Sequence, residues 1–196
     1  SCLPATGVKL SNINCDFKTQ ILRNFLSSKI KKEDIIFFVG YWQYLLSGSF
    51  NNDHNNIRSA SFGEKDDIDK FNSKFISLLK SIPSFNENVF ILEDIPVLPF
   101  DITRCKQFLP MRFQVECKLY KEDAYEADIQ AWNLMSQIAL ERPKIKTVLI
   151  KELFCYSNTC NIINENGHPL YRDSDHLSKN GASIIVKYLK ERILDN

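Results

Sequence analysis

Three short apolar runs constrain this chain more than any other feature. They are IIFFVG at 35–40, NVFILED at 88–94 and IKTVLIKELF at 145–154. Each is rich in β-branched or aromatic residues and is continuous rather than alternating. Each therefore reads as a buried strand of a parallel sheet. Around them lie stretches whose apolar residues recur at helical spacing. The first runs from 16 to about 30, with Phe17, Ile21, Leu22, Phe25, Leu26 and Ile30 on one face. The second covers about 64–81, with Ile68, Phe71, Phe75, Leu78, Leu79 and Ile82 as its stripe, acidic residues at its start and Pro83 at its end. The third covers about 123–141, with Ile129, Trp132, Met135 and Ile138 on one side and Pro143 as its stop. The last covers about 178–194, with Ser178 as N-cap and Ile185, Leu189 and Ile193 facing inward. The order α, β, α, β, α, β, α predicts an α/β fold, a three-layer sandwich with a central parallel sheet. In such sheets sites lie beyond the carboxyl ends of the strands.

Composition narrows the class. The 196 residues, 44 % of them hydrophobic, suffice for one domain with a real core, so 1–196 reads as a single domain. The formal charge is +1, from 25 basic and 24 acidic residues. No basic stripe stands out, which argues against a nucleic-acid partner. No stretch nears the roughly 18 apolar residues of a membrane span. Six cysteines are many for a cytosolic domain of this size and point to an oxidising compartment, the periplasm or the cell exterior. They fall as sequential pairs, and neighbours are expected to bond: Cys2 with Cys15, Cys105 with Cys117, Cys155 with Cys160. They make no zinc pattern with His54, His168 or His176, so no metal is expected.

The stretch that carries chemistry is near the end. Cys155 and Cys160 close a short loop, and GHPLYRDSDHLSKNGA follows at 167–182. An aspartate three residues before a histidine, just ahead of a helix, can hold one ring nitrogen so that the other serves a nucleophile as base. A polar loop with a helix cap is the other reading of these residues. Asp175 could orient the ring in place of Asp173. Arg172 and His168 read as solvated loop residues. Tyr171 either lines a pocket or packs beneath the loop.

This string resembles the last conserved block of SGNH-type hydrolases. More narrowly, it resembles the SGNH domain at the C-terminus of bacterial acyltransferase-3 proteins, which O-acylate cell-surface sugars. The Cys-x4-Cys, Leu170-Tyr171, Asp173-x-x-His176-Leu177-Ser178 and Gly181-Ala182 stand in that family's order and spacing. The resemblance implies an SGNH-hydrolase or flavodoxin-like arrangement, with Asp173 and His176 as acid and base of a catalytic triad; the family spacing favours Asp173 over Asp175. It implies transfer of an acyl group to O-antigen, peptidoglycan or another envelope glycan through an acyl-serine, without metal or organic cofactor. It also implies a membrane acyltransferase-3 domain in the same full-length chain, tethering this one to the inner membrane on its outer side. With water as acceptor, the same groups make a carbohydrate esterase.

The resemblance has gaps. SGNH proteins open on a strand ending in Gly-Asp-Ser, whose serine is the nucleophile, and no Gly-Asp-Ser occurs in the 196 residues. Ser49, in SGSF, lacks the aspartate and reads as a loop serine. SCLPATG looks like the segment that follows the serine strand and its helix in the acyltransferase-fused family. The expectation is therefore a domain truncated at its N-terminus, with its nucleophile upstream of Ser1. Gly40-x-Trp42 stands where SGNH enzymes carry Gly-x-Asn, whose amide donates to the oxyanion; the acyltransferase-fused branch tends to have Trp there. Gly40, Trp42 and Tyr171 are the oxyanion and pocket candidates. Trp42 has one indole N–H to offer, and its other reading is a core or rim aromatic. Outright loss of the serine would leave a different class of function, a non-catalytic module that binds glycan or docks a partner.

Overall fold

The structure, a computed structural model, describes residues 9–10, 13–14, 16–40, 42, 73, 75–105, 117–126, 129–142 and 144–194. These fall into two compact units, the first drawn from 1–50, 58–92 and 130–148 and the second from 51–57, 93–129 and 149–196. The first unit carries a small antiparallel pair, β1 (Lys9–Leu10) with β2 (Ile13–Asn14). It also carries the main sheet, β3 (Ile36–Phe38), β4 (Val89–Leu92) and β6 (Ile145–Val148), parallel and in that spatial order. Ile36 lies opposite Val89, and Val89 opposite Ile145. The chain is thus an α/β protein with a parallel sheet, as its alternating pattern predicts.

Successive strand residues face opposite sides. All four residues of β4 are buried, so both faces of that strand are covered, which is why its sequence is an unbroken VFIL. β3, with a paired strand on one edge among the described residues, is half-buried throughout rather than buried. Helix Asp16–Ser28 contributes Leu26 to the core, and helix Ile129–Glu141 contributes Met135 and Ile138. Phe75, Leu78 and Leu79, on the described end of the second helix, are fully buried with them against Val89, Ile91 and Ile145. Buried Asn86 has its polar atoms satisfied: Nδ2 donates to the Lys31 and Asp34 carbonyls, both at 2.9 Å, and Oδ1 accepts the Asn88 amide. It fixes the turn that delivers the chain into β3.

The second unit has a two-residue antiparallel pair, β5 (Leu119–Tyr120) with β7 (Thr159–Cys160), placing Leu119 opposite Cys160. Two disulfides flank it, Cys105–Cys117 and Cys155–Cys160, which are the expected neighbour pairs. A ladder that short contributes little by itself. The bridges tie its ends to a core of Leu98, Ile102, Phe154, Ile162, Leu170 and Tyr171. The Cys2–Cys15 pairing and Ser49 lie outside the described residues.

Two expected elements are corrected. The strand read over 145–154 ends at Val148. The amides of Ile150 and Lys151 both donate to Glu93 Oε2 at 3.0 Å, so the backbone leaves the ladder and enters a 3₁₀ turn, Lys151–Leu153. Lys151 Nζ reaches Glu93 Oε1 at 3.4 Å, with both side chains buried. The helix read over 123–141 is two, Lys121–Glu126 and Ile129–Glu141. The first starts early because β5 hands directly into it, the Lys121 amide bonding to the Asn158 carbonyl. Ile129, expected to face inward, is 52 % exposed. Among the described residues no helix is long and apolar enough to cross a membrane.

Candidate active site

The loop that carries the Asp-x-x-His is pinned by backbone on every side. Asn164 closes the preceding turn, its Oδ1 accepting the amides of Asn166 and His168, and Gly167 adopts the positive φ of 76° that this turn needs. Leu170 then bonds to the Ile162 carbonyl. Tyr171 and Leu177 form an antiparallel bridge, and the Arg172 amide donates to the His176 carbonyl at 2.8 Å. Residues 172–176 are thus the tip of a small closed loop. A further strut comes from the Leu98 amide, which donates to the Ser174 carbonyl at 2.8 Å. Ser178 ends the loop and begins helix Lys179–Leu189. Its hydroxyl accepts the Asn180 and Gly181 amides and donates to the Pro169 carbonyl. The expected N-cap is present, and it ties the helix back to the strand-like stretch before Asp173.

Inside that tip, Asp173 gathers five donors. Its Oδ1 accepts the His176 amide at 2.7 Å, the Asp175 amide at 3.2 Å and His176 Nδ1 at 2.9 Å. Its Oδ2 accepts Arg172 Nε at 3.2 Å and Nη2 at 3.1 Å. Asp175 also approaches the ring, with Oδ1 3.1 Å from Nδ1. An ionised Asp173 carboxylate at Nδ1 accepts, so a neutral ring places its proton at Nδ1 and leaves the lone pair on Nε2. The imidazole is 59 % exposed, so it is held on one side and open to solvent elsewhere. Partial burial acts to raise the Asp173 carboxyl. The bonds from His176, from the Asp175 backbone and side chain, and from Arg172 outweigh it and hold the group well below the ordinary aspartate range. Asp175 is pushed the other way, first by burial and then by Asp173 beside it.

Such a unit can accept a proton at Nε2 and stabilise the resulting imidazolium through the carboxylates at Nδ1. The ligand atoms of Asp173, Asp175 and His176 lie within 4.8 Å of one another, a spacing that could also suit a metal ion. The hydrogen bonds among them account for the closeness.

The other candidates fall differently. Tyr171 is 1 % exposed and packs on Phe154 beneath the loop. Burial pushes its phenol far up, which suits a packing role rather than a pocket lining. Trp42 is 2 % exposed, donates its indole N–H to the Leu92 carbonyl at 2.6 Å and packs on Phe75. With that donor engaged by the backbone, the core reading of Trp42 fits and an oxyanion donor does not. Gly40 is half-buried just past β3. Asp173, Asp175, Tyr171 and His176 belong to the second unit, and Gly40 and Trp42 to the first. The clamp of Arg172 on Asp173 was not expected from the sequence, although its position next to the aspartate was a usable signal.

A family model described as an SGNH domain (fused to AT3 domains) matches residues 1–191. No curated protein and no solved structure matches the chain significantly.

Proposed function

The chain belongs to the family of SGNH domains fused to AT3 domains, and from that premise we propose that it performs the acyl-transfer step of a cell-envelope O-acyltransferase. The acceptor is a hydroxyl of O-antigen, peptidoglycan or another surface glycan, and the acyl group in the simplest case is acetyl. The nucleophile in this reading is the serine of the family's Gly-Asp-Ser, a string that does not occur within these 196 residues. His176 Nε2 takes the serine proton as the oxygen attacks the donor's acyl carbonyl, then passes it to the departing group. In the second half, Nε2 takes the proton of the sugar hydroxyl as that oxygen attacks the acyl-serine, and returns it to the serine. Asp173 keeps the ring in the tautomer that both halves need. The AT3 partner delivers the acyl donor from the membrane, and the two disulfides of the second unit support a compartment outside the cytoplasm.

The observation that carries this reading is the 2.9 Å hydrogen bond between Asp173 and His176 in a solvent-accessible loop ahead of a capped helix. Surface glycan from cells expressing the full polypeptide should carry O-acyl groups visible by mass spectrometry. His176→Ala should remove them. Acylation unchanged in that variant rules out an enzymatic role for this loop. The absence of a Gly-Asp-Ser favours one other reading, a glycan-binding or docking module that supports the AT3 partner without turning over substrate.

A further inference from the structure

By sequence Asp175 is the alternative to Asp173 as the residue that orients the ring, and its carboxylate lies almost as close to the ring as that of Asp173. His176 Nδ1 is 2.9 Å from Asp173 Oδ1 and 3.1 Å from Asp175 Oδ1. The ring nitrogen is hydrogen-bonded to Asp173, and the Asp175 carboxylate stands within reach of the same nitrogen. The side chain of Asp175 is 26 % exposed against 42 % for Asp173, so it is the better shielded of the two. The peptide that leads into it is held at both of its polar groups: the Asp175 amide donates to Asp173 Oδ1, and the Ser174 carbonyl accepts the Leu98 amide. Arg172 draws on Asp173 Oδ2, while the ring nitrogen is the cation-forming group facing Asp175.

We propose that Asp175 is a second positioning residue for His176, sharing the Nδ1 hydrogen with Asp173 and able to hold the ring when Asp173 cannot. The proposal rests on the reading of His176 as general base, because only then does the tautomer matter to a reaction. The charged groups around the ring are Asp173 and Asp175, with Arg172 behind Asp173. The segment that packs on the loop through Leu98 offers only apolar side chains over 95–99. Among the described residues no other ionised group is recorded at Nδ1. Burial, and then the neighbouring Asp173, push the Asp175 carboxyl up from the ordinary aspartate range.

A triad with one orienting carboxylate loses about 10⁴-fold when that carboxylate becomes an amide, because the ring adopts the wrong tautomer. With two carboxylates on one nitrogen, Asp173→Asn should lose far less, on the order of 10- to 100-fold, and Asp173→Asn with Asp175→Asn should fall to the full loss. The direct readout is the ring itself. Nitrogen NMR of the chain at neutral pH, with His176 assigned by a His176→Gln control against His54 and His168, reports which nitrogen is protonated. Wild type, Asp175→Asn and Asp173→Asn should all show the Nδ1–H form. The double variant should show the Nε2–H preference of a free imidazole. The same samples are checked for folding by thermal unfolding, and in the Asp173→Asn background Asp175→Glu should keep the Nδ1–H form that Asp175→Asn loses. Free-imidazole behaviour in Asp173→Asn alone overturns the proposal. A tautomer pattern as stated, with full-polypeptide activity indifferent to His176→Ala, leaves the positioning intact and removes the acyl-transfer reading instead.

Discussion

Gly181→Ala sets packing against helix propensity. In an isolated helix the change gains about 1 kcal/mol. Gly181 is in the first turn of Lys179–Leu189 and lacks the positive φ that Gly167 has, so backbone strain is not why glycine stands there. The reason is space. A Cβ at Gly181 would overlap the Leu170 carbonyl oxygen, and would sit 3.0 Å from Leu177 Cδ2 and 3.1 Å from the Leu170 carbonyl carbon. The overlap is with backbone, and that carbonyl already accepts the Ser178 amide at 2.9 Å. Relief needs a shift on the order of 1 Å, and because the overlap is with backbone the cost is at the upper end of the overpacking range, about 2–3 kcal/mol. The clash therefore outweighs the propensity gain, leaving a net loss of about 1–2 kcal/mol. For a chain of this size that lowers the melting temperature by about 2–8 °C. The displaced residue is three positions before Asp173, and a misplacement of about 1 Å at reacting groups can cost about 100-fold in rate. Calorimetry and O-acylation by the full polypeptide are the assays. A melting temperature equal to or above wild type, with activity kept, would show that the helix does not approach Leu170 as described.

Glu93→Ala strips a buried partner from Lys151 and from two amides, and should cost about 3–5 kcal/mol in chemical denaturation. Lys151→Met should cost less, because the Glu93 carboxylate keeps both amide donors; equal and small effects in both variants would contradict the buried pair. Cys155→Ser with Cys160→Ser should lower stability by about 2 kcal/mol, less than a longer loop would. Non-reducing peptide mapping should find Cys105–Cys117, Cys155–Cys160 and, for the pair outside the described residues, Cys2–Cys15. Crossed pairs or free thiols would count against it. Carboxyl NMR across acid pH should show Asp173 ionising below, and Asp175 above, the ordinary value near 3.9. The depressed Asp173 contributes stability that is present above that value and lost as pH falls through its folded pKa. The raised Asp175 opposes it, with a contribution present at low pH and lost as pH rises through its own folded pKa. A single unshifted titration for both would remove the hydrogen-bond network.

The strands were legible because β4 is covered on both faces, and four buried residues in a row leave an unbroken apolar signature. The end of β6 was not legible. It is set by Glu93, a carboxylate 57 positions from Ile150, and local periodicity holds no trace of such a partner. The β5–β7 pair is two residues on each side, too short for an alternating pattern to show. Ser178 was readable as a cap because capping is local chemistry. The Asp173–His176 pair was readable for a similar reason, since both residues sit in one loop and the i, i+3 spacing closes by itself. Asp175 was readable only as an alternative to Asp173, because residue spacing does not say whether both side chains converge on one nitrogen. Trp42 was left between core and site by its sequence; the bond of its indole to Leu92 depends on the parallel strand next door.

The central claim is that Asp173 and His176 activate a serine that these 196 residues do not contain. Its most direct measurement is labelling by a serine-directed phosphonate. A polypeptide extended upstream to include the expected Gly-Asp-Ser should label at that serine and hydrolyse an activated acetyl ester, and His176→Ala should abolish both, while residues 1–196 alone should do neither. Stoichiometric labelling of a serine within 1–196, or an extended polypeptide inert to both probe and ester, would contradict it.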